Sequence, residues 1–247
     1  MQIEKPAFIV FLPGKIIWIL IAIWLIGFIS VFAWYIISHL RYRSFVLQKA
    51  VPVTDLEILE LWRKEVYVAG IKKANFELVI SPHVTTPMTI GLLKRNMKVV
   101  LPSKDYTLED LQLIYRHELV HIGHEDILTK FFLIFCTSMC WFNPLMWIAK
   151  RRYSNDLELS CDETVLLGAD DATRKQYALL LLDTAGDERG FTTCLSATAN
   201  AMRYRLRSVT KPKKRHSGAL IVGAVFFLLF VILGRRENTE VKRHLAQ

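Results

Sequence analysis

The sequence predicts a mainly α membrane protein in which an α+β domain with a small sheet lies between flanking transmembrane helices. Three observations predict this class. Segment 16–37 is almost purely apolar and, at about twenty-two residues, long enough to cross a bilayer with some tilt. Segment 217–234 is a second, shorter run of the same character. Between them, 38–216 mixes helix-period and strand-period apolar patterns, as a domain with a sheet requires. The composition agrees, with 52% of the 247 residues hydrophobic and 6 tryptophans.

The first run does not read as a cleaved leader. No small-residue cleavage site follows Tyr35-Ile36-Ile37, and basic residues come next. The formal net charge of +9 would suit nucleic acid, but the charges gather beside the apolar runs. Arg41, Arg43 and Lys49 follow the first. Lys211, Lys213, Lys214 and Arg215 precede the second, and Arg235 and Arg236 follow it. Such clusters contact anionic lipid headgroups, and no direct nucleic-acid binding is expected. Retention of positive charge on the inner side places 38–216 in the cytosol, with 1–15 and 235–247 as short extramembrane ends, although Arg235-Arg236 pulls against this orientation. Cys136, Cys140, Cys161 and Cys194 are then reduced thiols, and no C-x-x-C pair is present.

Within 38–216 the elements follow in order. Residues 54–68 carry Leu56, Leu59, Leu61, Trp62 and Val66 at helical spacing and end near Gly70. Residues 76–80 and 97–101 read as strands, each with a proline shortly after. Residues 87–91, Pro-Met-Thr-Ile-Gly, are short and β-prone, which suits an edge strand. Thr107-Leu108-Glu109-Asp110 resembles a capping box, opening a helix that runs to about residue 125. Residues 150–167 form a helix stopped by Gly168, and 171–185 another stopped by Gly186. Segment 191–216 is basic and weakly patterned and is assigned no element. Segment 131–149 is apolar but interrupted by Asn143-Pro144, where proline breaks helical hydrogen bonding.

The chemistry begins at His117-Glu118-Leu119-Val120-His121. On a helix, positions i and i+4 share a face, so both imidazoles reach one ion. Zinc favours this pair, and Glu118 is then set to act as general base toward a water that the metal activates. A catalytic zinc takes a third protein ligand. His124 lies on the same face, but one rigid helix seldom wraps three ligands around a tetrahedral ion. Glu158 and Asp162, four apart on a later helix, offer a ligand and an acceptor for a ligating histidine's free ring N–H. By spacing alone they read equally as a solvated acidic face. Cys161 would be a further ligand, but its pattern with Leu157 and Val165 puts it on an apolar side.

Taken together, these motifs resemble a known family. His117-Glu118-Leu119-Val120-His121, then Asp126, Asn143-Pro144-Leu145 with Trp147, Glu158 and Cys161-Asp162-Glu163 look like the bacterial antirepressor family of BlaR/MecR type. These are the membrane-embedded gluzincin peptidases of the β-lactam sensor-transducers. Pro87-Met88-Thr89-Ile90-Gly91 and Val100-Leu101-Pro102 also fit the pattern upstream of the metal helix. The resemblance implies a zincin-like metallopeptidase domain in the bacterial inner membrane. It implies zinc on His117, His121 and Glu158, Glu118 as catalytic base, and Asp162 behind a ligand. Thr89, Ile90 and Gly91 would hold a protein or peptide substrate as an added strand. The implied substrate is a cytosolic transcriptional repressor or regulator. For the oxyanion-stabilising donor, Arg152, Tyr153 and Tyr177 are candidates.

With His117 and Glu158 on one ion, 131–149 cannot cross the membrane fully. It is expected to be a re-entrant hairpin or a helix buried against the spans. Two departures from the family stand out. Only one clear span precedes the domain, and about a dozen residues follow the second. Ser208-Val209-Thr210-Lys211 matches S-x-x-K without a K-T-G partner, so no covalent β-lactam binding is expected. Sensing then runs through a partner or the membrane, or the chain is part of a longer protein. A membrane quality-control metalloprotease and a non-catalytic zinc-containing transducer are the alternative functions.

Overall fold

The structure is a computed structural model that describes residues 14–71, 76–92, 96–184 and 199–211. The described residues all fall in one compact unit by their contacts, Met1–Lys211. The expected span 217–234 lies outside the described residues.

Helix α1 (Gly14–Leu47) takes in the expected span and continues past it. Among the described residues it is the one helix long and apolar enough to cross a membrane. Its first half exposes large apolar side chains on all sides, Trp18, Ile19, Leu20 and Ile26 among them. A helix apolar all round does not sit stably against water. Its far end is anchored differently. Val46 is fully buried with Val79, Val84, Met88, Ile90 and Val100, and its carbonyl accepts a hydrogen bond from Ser81 Oγ at 2.6 Å.

That anchor is one face of a four-stranded sheet, with strands β1 (Val51–Pro52), β2 (Glu77–Ser81), β3 (Met88–Ile90) and β4 (Lys98–Pro102). The spatial order is β1-β2-β4-β3. β2 and β4 run parallel, and β1 and β3 pair antiparallel at the two sides. Alternation decides which side chain goes where. Val79 and Val100 face α1. Leu78, Val99 and Leu101 face a second core, with Trp62 of α2 (Leu56–Val68) and Tyr115, Leu119 and Ile122 of α3 (Leu108–Gly123). The sheet is thus sandwiched between α1 and the α2–α3 pair. As expected, β3 is an edge strand. Gly91 ends it at φ 128°, with no room for a Cβ beside the Asn96 carbonyl.

Thr107 caps α3, its Oγ1 accepting from Asp110 N at 3.1 Å. Glu125 then adopts a left-handed conformation, φ 56°, and the chain turns directly into α4 (Asp126–Met139). α5 (Pro144–Val165) follows after a short turn. Asn143 and Pro144 do not break a helix here; they begin one. Asn143 Oδ1 accepts from Leu145 N at 3.0 Å, and proline suits the first helical position because its missing N–H would have no partner there. α5 therefore starts six residues before the expected 150. The α4–α5 turn packs on α1. Trp24 Nε1 donates to the Met139 carbonyl at 2.9 Å, Trp141 Nε1 donates to the Trp24 carbonyl at 3.3 Å, and the Trp141 ring lies directly on Gly27.

α6 (Asp171–Thr184) and α7 (Ala199–Thr210) complete the unit. They close against α3 and α5 through Leu113, Leu166, Tyr177, Leu181 and Val209. α7 falls in the stretch to which the sequence assigned no element. Met202, Leu206 and Val209 recur at helical spacing along it and pack in that cluster. The many arginines between them hide this periodicity in a hydropathy reading.

Candidate metal centre

α3 and α5 cross so that three side chains converge. His117 Nε2 and His121 Nε2 are 3.1 Å apart. Glu158 Oε2 stands 3.7 Å from each of them. A tetrahedral ion roughly 2.0 Å from each donor sets its ligands about 3.3 Å apart. The three side chains are 15%, 1% and 9% exposed, so water can replace little of what they offer one another. Glu158 Oε2 is buried and makes no hydrogen bond. A buried carboxylate oxygen that makes no hydrogen bond and faces two imidazole nitrogens, with an arginine as its ion-pair partner, is a donor set that suits a bound cation.

Each histidine is oriented from behind. His121 Nδ1 lies 2.6 Å from Asp126 Oδ2. Asp126 occupies the first turn of α4, and the left-handed residue before it brings it there. His117 is held through a relay. Its Nδ1 is 2.7 Å from the Tyr177 hydroxyl, which donates to Asp162 Oδ1 at 2.7 Å. Asp162 itself is 3.6 Å from His117 Nδ1, too far for a direct bond. The sequence reading placed Asp162 in direct contact with a histidine; Tyr177 stands between. Arg205 of α7 clamps Asp162 with two bonds of 2.7 Å and reaches Glu158 Oε2 at 3.3 Å. Lys130 of α4 approaches Glu158 Oε1 at 3.4 Å.

These neighbours set the charges. Burial alone would push Glu158 up, but the charges of His121 and Lys130 hold its carboxyl well below the usual range. Burial would push His117 down, yet the charge and hydrogen bond of Cys161, with Glu158, raise it to about 10. His121 is likewise raised against burial, by Glu158 and Asp126. The pocket is built to hold positive charge between buried anions.

Cys161 does not face an apolar side as its pattern suggested. Sγ lies 3.3 Å from His117 Nδ1 and 3.3 Å from the His117 carbonyl. His117, His121 and Cys161 also offer donors within 4.8 Å of one another. Glu158 meets the Nε2 atoms of both histidines, whereas Cys161 meets the opposite nitrogen of His117.

Glu118, the residue after His117 on α3, is buried, its Oε2 accepting from Thr89 Oγ1 at 2.7 Å. Thr89, expected only to offer backbone at the sheet edge, thus also grips the adjacent carboxylate. His124 is exposed at the C-cap of α3, away from the cluster. Arg152 and Tyr153 lie on the exposed side of α5, and Tyr177 is occupied by the relay. Lys130 and Arg205 were missed entirely, since single basic residues in an apolar run and in a basic tail carry no pattern.

Comparison with known proteins gives the family to which this fold and cluster belong. Residues 3–208 match the family described as BlaR1 peptidase M56, and the chain belongs to it. It is a family of metallopeptidase type. The regulatory protein BlaR1 of Bacillus licheniformis is 27% identical over 128 residues, 51% of this chain and 21% of that protein. The methicillin resistance mecR1 protein of Staphylococcus aureus is 30% identical over 97 residues, 38% of this chain and 16% of that protein. That of Staphylococcus epidermidis matches to the same extent. The matched stretch is thus between about a sixth and a fifth of the length of these relatives, at 16% and 21%.

Proposed function

We propose that the chain is an integral-membrane zinc endopeptidase with its active site on the cytosolic side, cleaving a cytosolic regulator. The observation that carries this is the convergence of His117 Nε2, His121 Nε2 and Glu158 Oε2 at 3.1–3.7 Å, with both histidines on the helix that also carries the buried Glu118. Membership of the M56 family supports it, and so does the similarity to named regulatory and resistance proteins.

His117, His121 and Glu158 hold the metal, and zinc bound there supplies a Lewis acid that polarises a carbonyl and acidifies water. Asp126 and the Asp162–Tyr177 relay keep each Nδ1 protonated, so each Nε2 presents its lone pair. Thr89 fixes one oxygen of Glu118. The other accepts a proton from the attacking water and delivers it to the leaving amine. Arg205 and Lys130 balance the buried carboxylates. Residues 89–91, on the sheet edge, receive the substrate backbone as an added strand.

The membrane arrangement is part of the proposal. α1 spans, 38–216 is cytosolic and 217–234 spans again. The α4–α5 hairpin enters from the cytosolic side and returns. Its turn meets α1 at Trp24, and the Lys150 ammonium sits 3.7 Å over the Tyr35 ring. That stretch of α1 is about 16 Å long at 1.5 Å per residue, roughly half the hydrocarbon core. Exposed Phe132, Phe142, Leu145 and Ile148 on the hairpin suit lipid contact.

The test uses protein purified in detergent. Metal analysis should find one zinc per chain, and a cytosolic repressor substrate should be cut by the wild type but not by Glu118→Gln. A wild type without zinc, or a variant that cuts equally well, overturns the reading.

A further inference from the structure

A cavity of about 240 Å³ lies between the end of α1, the β3 edge, α4 and α5. Ile36, Leu40, Ile90, Phe131 and Ile134 give it apolar walls. Its charged lining is basic: Arg43, Lys130 and Lys150, with His39 beside them and no aspartate or glutamate. Lys150 is the telling member. It is 7% exposed and, among the described residues, has no carboxylate partner; its ammonium rests on the Tyr35 ring. A buried cation without an anion is costly, and a ring face offsets only part of that cost.

We propose that this cavity is a binding site for one anionic phospholipid. An acyl chain lies along Ile36, Phe131 and Ile134, and the phosphate is met by Lys150 and Arg43. The position favours this occupant. The cavity begins at Tyr35, where the apolar run of α1 ends, and continues to Arg43, two turns further along the same face. Leu40 and Ile37 beside it are exposed, so the apolar wall continues onto the outer surface of α1. An apolar peptide side chain would use the apolar walls but leave Lys150 unpaired. A phospholipid satisfies both.

Two wall residues touch the candidate centre. Thr89 donates to Glu118, and Lys130 lies 3.4 Å from Glu158. An occupied cavity therefore buttresses the side chains that hold both carboxylates. That consequence for activity rests on the peptidase reading; the lipid site does not.

The test is binding of phosphatidylglycerol carrying a fluorescent acyl chain to the full chain in neutral detergent, read by anisotropy. Phosphatidylcholine with the same tail is the comparison. Phosphatidylglycerol is expected to bind about tenfold more tightly. Lys150→Gln and Arg43→Gln should each remove about fivefold of that preference, since one basic contact near a headgroup contributes about 1 kcal/mol. Ile134→Trp fills the cavity and should abolish saturable binding of both lipids. Lys64→Gln, on the exposed side of α2, should change nothing. Equal binding of the two lipids overturns the proposal, as does an equal effect of Lys64→Gln and Lys150→Gln, or binding that survives Ile134→Trp. Competitive displacement of the lipid by a peptide substrate on Glu118→Gln would assign the cavity to the substrate instead, and also overturns it. Zinc content and proteolysis are read separately, so a failed peptidase reading leaves these outcomes interpretable.

Discussion

Replacing Asp126 should weaken zinc binding without removing a ligand. Its Oδ2 is 2.6 Å from His121 Nδ1, and the two side chains are 4% and 1% exposed. Asp126→Ala leaves a buried ring N–H without an acceptor. A hydrogen bond to a charged group contributes about 1.5–3 kcal/mol, which corresponds to roughly a tenfold to hundredfold loss of affinity. Outer partners of metal ligands fall in the same range, about 10–100-fold. Asp126→Asn keeps an acceptor but loses the charge, so it should lie between the wild type and alanine. The assay is competition with a chromophoric chelator at fixed pH, with circular dichroism to confirm that both variants fold. An alanine variant that binds zinc within twofold of the wild type would refute the orienting role of Asp126.

Three further outcomes follow from the geometry. Thr89→Val removes the donor to Glu118 and should lower kcat about tenfold or more with KM little changed; Thr89→Ser should restore most of it, and a pure KM effect would count against positioning. Gly27→Leu drives a side chain into the Trp141 ring and should cost about 1–3 kcal/mol, read as a lower Tm in detergent; an unchanged Tm would mean the hairpin does not pack on α1. Zinc uptake should release protons at pH 7, because His117 titrates near 10 and His121 is also raised. Metal must displace a proton held there, so the apparent affinity should fall with acid and rise with pH toward that value; calorimetry in two buffers of different ionisation enthalpy checks it, and no proton release would contradict the raised histidines.

Much of the site was legible because its chemistry follows helical spacing. His117 and His121 share a face by period alone, and Glu118 comes with them. Glu158 was only one acidic residue among several until the family resemblance singled it out. The orienting groups were harder to read. Asp126 was part of the resemblance without a role, and it meets His121 only because Glu125 turns left-handed. Tyr177 and Arg205 come from α6 and α7, far along the chain, and no local pattern ties either to His117. The strands and the α3 cap were readable from alternation and from Thr107. The start of α5 was misread because proline was taken as a breaker where Asn143 makes it an initiator.

The central claim is that one ion sits between His117, His121 and Glu158, with Cys161 close by but outside the ligand set. X-ray absorption spectroscopy of the zinc-loaded protein tests this directly. The expected first shell holds nitrogen and oxygen only, at about 2.0–2.1 Å. A sulfur scatterer at about 2.3 Å would put Cys161 on the metal and contradict it.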